Sequence, residues 1–196
     1  MPSKSILNRG FKTEAEKIAE FHRQELGISK FDPLDAFLLA KHLDIPVFSV
    51  NEAFAGKEDS PFYTTMNDTA RFNATLFTNE DGDKIIIHND NHSSFRQQSN
   101  IMHELSHAIR KHEIPDDIKR LLLPLDLHYY NPLYEQEAKY LGGCLQITRA
   151  GLQWAIKRMN EYEISNYYNA SIEMVKYRLN ATGVLKQQYY IQRKKL

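Results

Sequence analysis

The chain has 196 residues, 42% of them apolar, with 11 Tyr and 10 Phe, enough for one compact domain with a packed core. Its 25 basic and 25 acidic side chains cancel, which argues against a protein that binds nucleic acid through overall charge. One cysteine excludes an internal disulfide, and neither a signal-like start nor an 18-residue apolar run is present, so a cytoplasmic protein that does not enter membranes is expected.

From the N-terminus, Thr13-Glu14-Ala15-Glu16 reads as a capping box opening a helix to about residue 26, with Ile18 and Phe21 inward. Asp32-Pro33 would cap a second helix to about 43, with Phe37, Leu38 and Leu43 on its apolar side. Pro46 to Val50 reads as a short strand. The polar stretch 51–70 reads as loop with a short helix, and 71–78 and 84–88 alternate around Asn79–Asp83 as a hairpin.

An uninterrupted helical pattern follows over 93–112, with Ser93 or Ser94 as cap and Lys111 and His112 near its end. It carries His103-Glu104-Leu105-Ser106-His107. Residues four apart share a helix face, so His103 and His107 can both bind one Zn²⁺. Glu104 is rotated about 100° from His103, within reach of an attacking water but not of the ion, as a general base requires. A catalytic zinc normally takes three protein ligands. Glu113 stands where a metzincin would have its third histidine, so a carboxylate from a following helix is the better expectation. Asn131-Pro132 opens such a helix, and both Glu135 and Glu137 lie in its first turns.

From 157 to the end the chain holds 8 Lys and Arg against 3 Glu. Glu163 to Tyr168, the turn Asn169-Ala170-Ser171, and Ile172 to Leu179 read as helix, turn, helix, ending at Thr182-Gly183. This pair either packs on the rest of the chain or reads DNA; packing is preferred. Cys144 lacks a neighbouring base and is expected to be a small buried apolar residue. His22, His42, His88, His92, His112 and His128 receive no assigned role. The expected fold is α+β, mainly helical with a small antiparallel sheet near the H-E-x-x-H helix. The expected division is a domain over 1–147 and a helical segment over 148–196 packed on it.

The combination of H-E-L-S-H with Glu135-Gln136-Glu137-Ala138 some thirty residues later resembles the ImmA/IrrE zinc metallopeptidases, gluzincin-like proteins of bacteria and mobile elements. Their pattern runs E-A-[N/D]-x-F-A-A-x-L-L-[M/I]-P, here Glu137 to Thr148, and Arg96 and the strand Lys84–His88 match features upstream. The resemblance spans roughly 31–182 and is most specific over about 84–148. It implies Glu137 as third zinc ligand, with Glu135 the alternative, and a protein substrate, a helix-turn-helix repressor. Direct nucleic-acid binding is not expected. Lys139 replaces a residue that would orient a ligand histidine, Gly142-Gly143 replace two alanines and allow close helix approach, and Thr148 replaces proline. A second function class is a regulatory DNA- or protein-binding module with a vestigial metal site. The residues unranked for stabilising an oxyanion are His128, Tyr129, Tyr130 and Tyr134.

Overall fold

The computed structural model describes residues 6–79, 81–113 and 130–187. Helix α1 (Phe11–Glu25) starts two residues ahead of the expected capping box: Gly10, at φ 94°, offers its carbonyl to Thr13 and Glu14, and no side chain caps the helix. Its buried face is Phe11, Ala15, Ala19, His22 and Arg23, whereas Phe21, expected inward, is exposed. The small Ala15 and Ala19 let α1 lie close against its neighbours. The Arg23 guanidinium is buried because the carbonyls of Ala19, Asp32, Leu145 and Gln146 satisfy it. Helix α2 (Ala36–His42) is capped by Asp35, which accepts from Leu38, and not by Asp32. Ala36, Leu39 and Ala40 are its core side, so Phe37 and Leu38 face outward.

Strand β1 (Val47–Ser49) runs directly into the short helix α3 (Val50–Ala53), and α4 (Pro61–Asn67) follows. The expected hairpin is present as β2 (Ala74–Thr78) and β3 (Lys84–His88), antiparallel with Leu76 opposite Ile86. The sheet as a whole is mixed, not antiparallel: in the order β1-β3-β2, β1 pairs parallel to β3, with Phe48 opposite Ile87. The chain from β1 to its parallel partner β3, residues 50–83, carries α3, α4 and β2, the long connection that parallel pairing needs.

Helix α5 (Ser94–Arg110) turns Ile101, Met102 and Leu105 into the core. Asn131 caps α6 (Pro132–Gln146) by accepting from Leu133 and Tyr134, as the Asn-Pro pair predicts. At Gly142 of α6 a Cβ would stand 3.3 Å from the backbone of Met102 and His103, so the absent side chain is what lets α6 lie against the H-E-x-x-H segment. Cys144 is buried beside Leu141 and Leu145, and burial pushes its thiol pKa up, as suits an inert core residue.

A second apolar core gathers Leu152 of α7 (Arg149–Ala155), Ile164 of α8 (Glu161–Tyr167), Val175 and Leu179 of α9 (Ile172–Thr182), and the helix-end residues Ile147 and Tyr168. Ser171 caps α9 and Gly183, at φ 66°, ends it. The fold is α+β and mainly helical with one three-stranded sheet. No helix among the described residues is long and apolar enough to cross a membrane. The Leu121–Pro124 segment, His128, Tyr129 and the basic residues past 187 lie outside the described residues.

Candidate metal centre

Helical spacing brings the two motif histidines together as expected: Nε2 of His103 and Nε2 of His107 are 3.2 Å apart. From the start of α6, Glu135 closes the triangle, its Oε2 3.3 Å from His103 Nε2 and its Oε1 3.6 Å from His107 Nε2. Among the described residues, these three form the group whose ligand atoms all lie within 4.8 Å of one another. Donors bound tetrahedrally at about 2.0–2.1 Å stand roughly 3.3 Å from each other, so the two nitrogens and the carboxylate lie at the spacing of ligands to one zinc-sized ion. All three side chains are partly exposed, leaving the centre accessible from one side.

The structure places Glu137 elsewhere. Two residues further along α6, its carboxylate points about 200° around the helix axis from Glu135. There its Oε2 accepts from Arg110 Nε at 2.9 Å and lies 3.1 Å from His112 Nε2. It is nearly fully buried and does not join the His103–His107–Glu135 group.

Glu104 occupies the side of α5 that faces the sheet. Its Oε2 accepts the backbone N–H of Leu76 in β2 at 2.9 Å, an amide pointing away from β3. Burial raises its carboxyl to about 7, although His103 and the Leu76 amide act in the other direction. Burial and then the neighbouring His103 lower His107 to about 4, so it is neutral, the form in which imidazole binds metal. The hydrogen bond from His103 is the main reason Glu135 lies below the usual carboxylate range.

Beside this group opens a cleft of about 400 Å³ lined by Asn73, Asn100, His103, Glu104, Lys139 and Met174, with Gly142 and Gly143 at its wall. Asn100 Nδ2 is buried with no partner among the described residues. Arg96, on the outer face of α5, holds the cleft's rim by donating to Asn73 Oδ1 at 2.8 Å. Lys139 touches neither histidine; its Nζ lies 5.6 Å from the Tyr177 ring centroid. Tyr130 is exposed, and Tyr134 stacks on His112 with centroids 4.3 Å apart and planes 3° from parallel.

His112 is the residue that sequence reasoning passed over. Lys111, left-handed at φ 53°, ends α5 and folds the chain back so that the His112 amide bonds the His107 carbonyl. The ring then stands with Nδ1 3.0 Å from His107 Nδ1. The available signal was a histidine one residue beyond a helix whose preceding turn carries a ligand.

No curated protein matches the chain. Its residues 57–180 match the IrrE N-terminal-like domain, Peptidase_M78, over more than half its length and across β2, β3, α5 and α6. The motif, its partner carboxylate and the cleft beside them therefore lie inside the matched region, and the chain belongs to the ImmA/IrrE-type Peptidase_M78 family, a metallopeptidase-type family.

Proposed function

We propose that the protein is a zinc-dependent endopeptidase whose ion is held by His103, His107 and Glu135. The observation that carries this reading is the convergence of two imidazole nitrogens 3.2 Å apart with the Glu135 carboxylate, one oxygen 3.3 Å from His103 and the other 3.6 Å from His107, beside a cleft lined by His103 and Glu104. Glu135 takes the place in this reading that the sequence resemblance implied for Glu137, because the Glu137 carboxylate is engaged by Arg110 and His112. Zinc bound there would act as a Lewis acid toward the scissile carbonyl and make a water acidic enough to attack.

Glu104 acts as the base. It removes the proton from the attacking water as the new C–O bond forms, then delivers that proton to the amide nitrogen as the C–N bond breaks. Burial, which raises this carboxyl in the metal-free site, favours a group that takes up the water's proton and gives it back. The Leu76 amide fixes the carboxylate's orientation without neutralising it.

The family resemblance supports a helix-turn-helix transcriptional repressor as substrate and the cytoplasm as the place of action. The alternative, a DNA-reading role for the α8–α9 pair, finds little support. Arg178 of α9 is fully buried against Glu16, so this cation of the pair cannot face a phosphate.

The test is cleavage of a candidate repressor by zinc-loaded wild type and Glu104→Gln. The amide is isosteric but accepts no proton, so hydrolysis should fall at least about 100-fold while zinc content stays the same. Cleavage at the wild-type rate by the zinc-loaded variant would refute the mechanism.

A further inference from the structure

We propose that His112 and Glu137 are positioning residues, a hydrogen-bonded relay that holds His107 in the tautomer whose Nε2 is free to bind the ion. The inference rests on the reading of His103, His107 and Glu135 as the metal centre. His107 Nε2 faces His103 and Glu135, so that nitrogen must present its lone pair. A neutral imidazole with a bare Nε2 carries its hydrogen on Nδ1, and that hydrogen needs an acceptor. His112 Nδ1, 3.0 Å away, provides one only if it is itself bare. The His112 hydrogen then lies on Nε2, 3.1 Å from Glu137 Oε2, which accepts it.

The opposite arrangement fails at its last link. With hydrogen on His107 Nε2, His112 Nδ1–H would donate to His107, and the bare His112 Nε2 would face the Glu137 carboxylate. Two acceptors would then meet at 3.1 Å with no hydrogen between them. Glu137 thus sets the direction of every hydrogen bond in the chain and reaches the ligand without touching it.

The surroundings hold each member in place. Arg110 Nε donates to Glu137 Oε2 at 2.9 Å, and its Nη1 reaches Glu14 of α1 at 2.6 Å. Arg110 supplies Glu137 with its countercharge, so His112 need contribute a hydrogen and not a second positive charge. Stacking on Tyr134 fixes the plane of the His112 ring, and the left-handed Lys111 fixes its position along the chain. His112 and Glu137 are both about 95% buried on their side chains, so water does not substitute for either link. Groups in this position elsewhere typically change metal affinity 10–100-fold when removed. Lys139, at the family position expected to orient a histidine, lies over Tyr177 instead. The relay orients His107 without it.

Two measurements on the full chain test this. Zinc affinity, by competition with a chelator, should weaken 10–100-fold in His112→Phe, which keeps the stack on Tyr134 but loses both hydrogen bonds, and in Glu137→Gln. Ring ¹⁵N NMR of the metal-free protein at pH 8 should show His107 with hydrogen on Nδ1 in wild type. In either variant it should shift toward the Nε2–H form that free neutral imidazole prefers. A role confined to packing would leave that tautomer unmoved. Unchanged affinity and an unchanged His107 tautomer in both variants would overturn the relay while leaving the metal centre standing. Wild type that binds zinc no better than His103→Ala would overturn the metal centre, and the relay with it.

Discussion

Glu104 lies in a site that disfavours its charge, and this has a measurable consequence without zinc. Its pKa in the folded metal-free protein is about 7 against an ordinary 4.5, so the folded state holds its proton more tightly than the unfolded chain does. That advantage is present below pH 4.5 and is lost as pH rises through 7. Metal-free wild type should therefore lose up to roughly 3 kcal/mol across this window relative to Glu104→Gln. Urea unfolding of both metal-free proteins at pH 5 and pH 8 measures it: the variant should be the more stable at pH 8, with the gap shrinking toward pH 5. Parallel stabilities at the two pH values would contradict it. At this scale the sequence was legible where local geometry decides. His103, Glu104 and His107 occupy their faces because α5 has 3.6 residues per turn. Glu135 and Glu137 could not be separated that way. Which of them meets the histidines depends on the rotation of α6 against α5, a property of two helices packed together. His112 was hidden for a related reason, since its position follows from a left-handed Lys111 that nothing in the local sequence requires.

The contact between α5 and α6 determines whether the donor triangle closes. Gly142 allows it, and Ala at that position would set its Cβ 3.3 Å from the Met102 carbonyl and the His103 amide. Those atoms are backbone of a packed helix and have little room to give. Overpacking should outweigh the gain in helix propensity of about 1 kcal/mol, leaving Gly142→Ala less stable by about 1–2 kcal/mol in chemical denaturation. A more stable variant would mean that the helices slide apart freely there. Other elements show how far pattern alone reaches. The hairpin, the Asn131 cap and the Ser171 cap follow from local turn and capping chemistry, and all three are present. On α1 and α2, Ile18 and Leu43 pack against the core as expected, but Phe21, Phe37 and Leu38 face outward. Phe11, Leu39 and small alanines take the buried positions, and the buried Arg23 is satisfied by four carbonyls. The strand β1 was expected, but its parallel pairing was not, because its partner β3 lies beyond a long connection.

At the scale of the molecule, α1 precedes the region 57–180 that matches the family, yet it is built into the centre. Glu14 steadies Arg110, Arg23 caps the carbonyl end of α6, and Glu16 meets the fully buried Arg178 of α9 while accepting from the Arg149 amide. Removing Glu16 leaves the Arg178 charge buried without a countercharge, which typically costs 3–5 kcal/mol. Glu16→Ala should therefore be destabilised by about that amount in thermal or denaturant unfolding. Glu16→Gln, which keeps a hydrogen-bond acceptor, should lose less. Equal small losses in both would show that Arg178 finds other partners. The central claim, that His103, His107 and Glu135 hold a catalytic zinc, is tested most directly by the zinc content of purified Glu135→Ala beside wild type. The account predicts about one zinc per wild-type chain and sharply reduced zinc in the variant. Full zinc in a folded Glu135→Ala protein would contradict it.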